Sequence, residues 1–310
     1  MDIMETNPAP QVCTGFHVTF ESTSALRTLL DVLSSIFTRG VEFKVCRKAG
    51  GGPEDGQLKI EAIDSSHVCI VRAAIECKVV RLERDYCFTI DTSTMNACIK
   101  SVHAHYAMDI FTHENSSDVT LKLYEALSKT HVCNFRINTL VNSGLVVPDI
   151  KELFFTYILE FDATCLRSCV RNCKETHASD VAFKIAMPPK HVRAQTDGNT
   201  HLVVSVSAQG TTVFQERVFH SIVDTRRGTS ASSLMIVTDH DEDVPVSESD
   251  IQEHYSGRFS IHYLALFLKS IERHTVTMRL EKNQPLVLSY PLGGGEDSYI
   301  VLVLAPKIEE

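Results

Sequence analysis

The two halves of the chain carry the same succession of patterns, and this internal repeat limits the fold more than any single motif does. EDG at 54–56 opens LKIEAIDSSHVCIVRAA, and TDG at 196–198 opens HLVVSVSAQGTTVFQERV. Both runs alternate apolar and polar residues, the period of strands with one buried face. Upstream of each lies a segment with helical spacing. Leu26, Leu29, Leu30, Leu33, Ile36 and Phe37 share one face within 22–38, and Leu166, Cys169, Val170 and Cys173 share one within DATCLRSCVRNCKETH at 162–177. A degenerate repeat of this kind predicts two similar α+β domains, each with helices packed on antiparallel sheet. A length of 310 residues suffices for two cores.

Between these landmarks the order is regular. A strand at His17–Phe20 precedes the first helix, and alternation resumes at Val41–Val45. AGGGPEDG at 49–56 reads as a lengthened hairpin turn; it lacks the GK[ST] ending and the following helix that a phosphate loop needs. After a strand at Tyr86–Ile90, a second helix starts at Thr92, Ser93 and Thr94, which are cap-type residues. It is expected to bury Met95, Cys98, Ile99 and Val102 and to turn Asn96, Ala97 and Lys100 outward. Strands follow at Val119–Tyr124 and Val132–Ile137. LVNSGLVVPDIK at 140–151 then breaks the alternation and reads as a connector. Its apolar Leu145, Val146 and Val147 exceed what a passive linker requires. The expected division is a disordered lead at 1–15, domains at 16–139 and 153–310, and a connecting loop at 140–152. In the second half, strands are expected at Phe154–Phe161, Asp180–Ala186 and Leu234–Thr238, followed by the acidic surface run DHDEDVPVSESD. A fourth helix at Phe259–Ile271 buries Ile261, Leu264, Phe267, Leu268 and Ile271 and presents His262, Ala265 and Lys269. Strands at Val276–Leu280, Pro285–Tyr290 and Tyr299–Leu304 finish the chain.

Several function classes are disfavoured. No apolar run approaches the roughly 20 residues of a membrane span, and MDIMETNPAPQVCTG has no signal-peptide character. The 10 cysteines form no CxxC pair and sit in apolar patterns, as buried thiols of a reducing compartment do. His103, His105 and His113 lie beside a strand without a fixed acidic or thiol partner, so no metal site is expected. Ser65, Cys165 and Cys173 are nucleophile types, but none stands in an elbow or beside a base with an orienting acid. Neither catalysis nor a cofactor is expected.

The four helices share a two-faced design, apolar inside and short or basic outside. Their cations are Arg27, Lys100, Arg167, Arg171, Lys174 and Lys269. The whole chain has 30 Lys and Arg against 39 Asp and Glu, so these cations run against its net charge of −9. A positive lining within a negative exterior holds duplex DNA by its phosphates without reading bases. The short outward groups Ser34, Ala97 and Ala265 leave such a surface smooth.

Ile63-Asp64-Ser65-Ser66-His67-Val68, the tail LAPKIEE at 304–310, the connector Leu145-Val146-Val147-Pro148 and the order of elements together resemble the eukaryotic-type sliding clamp, the proliferating cell nuclear antigen family. The resemblance implies a DNA clamp fold closed into a homotrimeric ring, with helices lining its hole. It implies subunit contacts between the strand at Val132–Ile137 and that at Thr211–Val218 of the next copy, through Val132, Phe135, Ile137, Thr211 and Val213; Phe135 occupies the place of an interface aromatic. It also implies an apolar pocket formed by Ile63, His67, Val68, Leu145, Val147, Pro285, Val303 and Ala305. That pocket would receive PIP-box peptides of DNA polymerase, flap endonuclease and DNA ligase, with a clamp loader as a further partner. The expected location is the nucleus or another site of DNA replication, a virus factory for a viral member. The chain departs from the family in two places: Leu302 and Val303 replace a tyrosine pair, and Thr196 stands where many relatives carry lysine before Asp-Gly. A competing reading is a monomeric clamp-fold accessory protein that binds replication enzymes without closing a ring.

Overall fold

Leu26, Leu29, Leu30 and Leu33 are fully buried, which fixes how the first helix meets its sheet. The computed structural model describes residues 15–112, 116–141, 147, 153, 155–187, 201–223, 233–238, 252–271, 275–293, 295 and 297–307. The N-terminal lead, His113, Leu145, Thr196 and the acidic run lie outside them. The first half runs β1 (Phe16–Phe20), α1 (Ser24–Ile36), β2 (Val41–Arg47), β3 (Asp55–Ile63), β4 (Cys69–Leu82), β5 (Tyr86–Ile90), α2 (Thr92–Lys100), β6 (Ala107–Phe111), β7 (Asp118–Tyr124) and β8 (His131–Asn138). The second runs β9 (Tyr157–Asp162), α3 (Ala163–Glu175), β10 (Asp180–Met187), β11 (His201–Gln209), β12 (Phe214–Val223), β13 (Ser233–Thr238), β14 (Gln252–Ser260), α4 (Ile261–Leu268), β15 (Thr275–Leu280), β16 (Leu286–Pro291) and β17 (Tyr299–Leu304). Among the described residues the repeat is thus a repeat of structure, with one added strand in the second half.

All the strands join one continuous sheet, because β17 pairs antiparallel with β4 across the two halves, from Tyr299↔Ala74 to Leu304↔Cys69. On this sheet α1 packs against α2, α3 against α4, and α1 against α4. The four described helices therefore form one row in the order α2, α1, α4, α3. Their inner faces supply the core: Ala25, Val32, Met95 and Ile99 in the first half, and Ala163, Leu166, Cys169, Val170, Cys173, Leu264 and Phe267 in the second.

Local chemistry moves several expected boundaries. Asp91, not Thr92 to Thr94, caps α2, its carboxylate accepting from the Ser93 and Thr94 amides. A carboxylate outcompetes a hydroxyl there because it also meets the positive end of the helix dipole. Asn96 is buried and not outward, since its amide nitrogen donates to Asp31 Oδ1 (3.1 Å) and Ser34 Oγ (2.9 Å) of α1. Cys98 and Val102, expected inside, are half-buried. Strand β14 stays paired with β10 as far as Ser260↔Asp180, which delays α4 to Ile261. Thr211 and Val213 precede β12 in an exposed turn. Among the described residues one pairing is parallel, β9 with β13. In the first half β4 itself runs on to lie antiparallel to β1. In the second half β12 gives way to β13, which reverses direction before reaching β9.

Candidate nucleic-acid and partner-binding faces

The outward side of the helix row carries the six cations named from the sequence, together with Asp31 of α1 and Glu175 of α3. Six cations against two carboxylates give this row a positive surplus inside a chain of net charge −9. The surplus is uneven. Lys100 Nζ is ion-paired with Asp31 Oδ1, whereas the α3 residue that repeats Asp31 is Arg171, 3.9 Å from Glu175 and 71% exposed. Lys174 and Lys269 are exposed as well. The α3–α4 pair is therefore the more cationic half of the row.

Arg27 and Arg167 do something else. Arg27 Nη1 donates to the Val102 carbonyl (3.1 Å) just past α2, and Arg167 Nη1 donates to the Ile271 carbonyl (2.9 Å) just past α4. Both arginines follow a buried leucine near the start of their helices, so each half uses one arginine to satisfy an orphan carbonyl at the end of its second helix. Both are half-buried. Their charge still adds to the face, but their fork is engaged by protein.

The sheet edges form the second feature. Within the chain, β17 completes β4 over Cys69–Ala74. The repeat-equivalents of these two strands are β8 and β12. Among the described residues β8 is paired on one side only, with β7, and the second edge of β12 acquires a partner strand only from His220 onward. The large exposed apolar residues Val132, Val213, Phe214 and Val218 lie at these two edges, at 41%, 50%, 58% and 44% exposure. Phe135 is half-buried against the core, while Ile137 is buried, so its side chain offers nothing to a partner. Gly210 closes the turn before β12; a Cβ there would meet the Thr176 carbonyl oxygen at 1.9 Å, which ties this edge to the end of α3.

The third feature is a small apolar cluster separate from the main core. Ile63, Ile70, Val303 and Val287 are successive cross-strand partners on β3, β4, β17 and β16. They form a row across the junction of the halves, against which Val147, Leu153, Phe155 and Val301 pack. At its end the 64–69 turn is held by Asp64, whose carboxylate accepts from the amides of Ser66 (3.0 Å), Val68 (2.8 Å) and Cys69 (2.6 Å) and from the Tyr263 hydroxyl of α4 (2.6 Å). Burial alone would raise the Asp64 pKa, but the bonds from Tyr263 and the three amides outweigh it and hold it below the ordinary carboxylate range. Burial, with the same bond to Asp64, pushes Tyr263 up to about 12. His67 takes the left-handed conformation at φ 58° that closes the turn.

Solved structures match nearly the whole chain, two of them as follows. Proliferating cellular nuclear antigen from Entamoeba histolytica superposes with a TM-score of 0.66 at 15% identity, covering 94% of this chain and 99% of that one. PCNA from Thermococcus kodakaraensis superposes with a TM-score of 0.65 at 16% identity, covering 94% and 100%. The fold is that of PCNA. No protein-family model and no curated protein sequence matches the chain, so at this identity the likeness is one of fold.

On the PCNA fold the sequence-derived residues fall into three places, one of them the β8 and β12 edges that hold Val132, Phe135, Thr211 and Val213. Arg27, Lys100, Arg167, Arg171, Lys174 and Lys269 share the helix row. Ile63, Val147 and Val303 belong to the apolar cluster, with the exposed His67 and the half-buried Val68, Pro285 and Ala305 also named for that pocket. The Ala305 amide donates to the Val68 carbonyl (2.9 Å), which fixes the tail to the turn. Leu302 and Val303, the pair that departs from the family, divide: Leu302 enters the main core and Val303 the small cluster. Sequence reasoning missed Ile70, Val287, Leu153, Phe155 and Tyr263. Ile70 and Val287 sit in the uninterrupted apolar runs VCIV and PLVL, where alternation cannot tell inner face from outer. Among nucleophile types, Ser65 is exposed and Cys173 buried, and the bond to Cys173, followed by burial, keeps the Cys169 thiol protonated. Among the described residues no group of three His, Cys, Asp or Glu is placed to hold a metal, and no helix is long and apolar enough to cross a membrane.

Proposed function

We propose that this chain is a DNA sliding clamp: three copies close into a ring that encircles duplex DNA and tethers DNA polymerase and other replication and repair enzymes. The observation that carries this reading is the mismatch of edges. The β4–β17 junction is complete within the chain, while its repeat-equivalents β12 and β8 carry exposed apolar residues. Head-to-tail pairing of β8 with β12 of the next copy repeats the internal junction and removes both edges. A closed ring also turns the helix row toward a common hole. There Arg171, Lys174 and Lys269, with Lys100, face phosphates in a weak, sequence-blind and salt-sensitive way. The Ile63–Ile70–Val303–Val287 row then serves as the anchor site for PIP-box peptides of polymerase, clamp loader, flap endonuclease and ligase. No chemical step is assigned to the chain. Its place of action is where DNA is replicated.

Topology supplies the test. Loaded onto a nicked circular duplex, the protein is expected to co-migrate with DNA through a sizing column in moderate salt and to be lost when the circle is cut once. Equal retention on circular and linear DNA, or none on either, would contradict encirclement.

A further inference from the structure

The bond between Asp64 and Tyr263 joins parts of the chain 199 residues apart. Asp64 lies in the turn between β3 and β4 of the first half; Tyr263 lies on the first turn of α4 in the second. Asp64 is 4% exposed, so its charge must be met by protein. Each of its four bonds has a definite task. Three amide bonds shape the turn itself, and the Tyr263 hydroxyl fixes where that turn stands relative to the helix row. His262 on the same helix and Lys269 just past its end are on the outward side. Neighbours of Asp64 in the turn are His67 and Val68.

We infer that Tyr263 is a positioning residue for the partner pocket: its hydroxyl, acting through Asp64, holds the 64–69 turn at the end of the apolar row and makes that turn move with the DNA-facing helix. This rests on the pocket reading given above. Deleting the hydroxyl leaves Asp64 with its three amide bonds and leaves the Ala305–Val68 bond to the tail, so the turn keeps its shape and loses its anchorage to α4. Tyr263 is half-buried and packs against the main core, and phenylalanine preserves that packing.

The test is Tyr263→Phe in the full chain, read by amide exchange and by binding of a synthetic peptide carrying a PIP-box turn with its aromatic anchor. The Ser66, Val68 and Cys69 amides are expected to exchange about fivefold faster, with the amides of Leu58 and Ile60 on β3 unchanged. Peptide affinity is expected to fall by a similar factor, and the melting temperature to stay within a few degrees. Unchanged exchange at the three turn amides would overturn the inference, as would uniform acceleration through β3 and β4, which would mean a plain loss of stability. If the unaltered protein binds no peptide, the pocket reading fails instead, and the exchange data alone still decide whether Tyr263 anchors the turn.

Discussion

Asp64 concentrates at one residue what holds the pocket end in place. Its folded pKa is lowered, so its contribution is fully present above the unfolded value of about 3.9 and is lost as pH falls through the lower folded value. Tyr263, raised to about 12, contributes below about 10 and loses that contribution as pH climbs through 12. The amide resonances of Ser66, Val68 and Cys69 are therefore expected to hold constant from neutral pH down to about 4 and to move only below it. A midpoint at or above the ordinary carboxylate value would contradict the assigned bonds. Arg27 and Arg167 make a second residue-scale case. The sequence marks them as phosphate ligands, because charge and helical face are local properties. Their acceptors, 75 and 104 residues away, are not. Arg167→Met is expected to cost about 1.5–3 kcal/mol in urea unfolding, the scale of a lost charge-assisted hydrogen bond. A cost near zero, with a large loss of DNA affinity, would return Arg167 to the sliding face.

Among the elements, the helices were legible and their partnerships were not. Spacing predicts the buried stripe Leu166, Cys169, Val170 and Cys173, and all four are buried. Spacing also sends Asn96 outward, but its amide bridges α2 to Asp31 and Ser34 of α1, because helix-to-helix contact decides where an amide finds partners. The same contact explains the uneven charge: Asp31 neutralises Lys100 in the first pair, and Arg171 stands in its place in the second. Replacing Arg171 and Lys269 together by glutamine is expected to lower the salt slope of duplex binding by roughly 2, from the loss of two phosphate contacts. Lys100→Gln is expected to change it by less than 1, since its charge is already paired. Equal effects from the two variants, measured by anisotropy across a salt series, would show that the two helix pairs face DNA alike.

At the scale of the molecule, the internal repeat anticipated two similar halves, and the described elements follow that order. The repeat could not announce the parallel β9–β13 pairing, because the reversal falls between strands whose alternation is the same in either direction. Nor did it show that the β4–β17 junction already exists inside one chain, since pairing partners 225 to 235 residues apart leave no local mark; Leu304↔Cys69 and Tyr299↔Ala74 become visible only in the folded sheet. That internal junction is the pattern for the proposed contact between copies. A chain that completes one such junction and leaves the halves of another at opposite edges has a built-in rule for joining its copies. By likeness to the clamp fold we propose closure after three copies. Sedimentation equilibrium at micromolar subunit concentration tests it most directly: the expected mass is three times the 34.6 kDa of one chain, and a species at the mass of a single chain would contradict it.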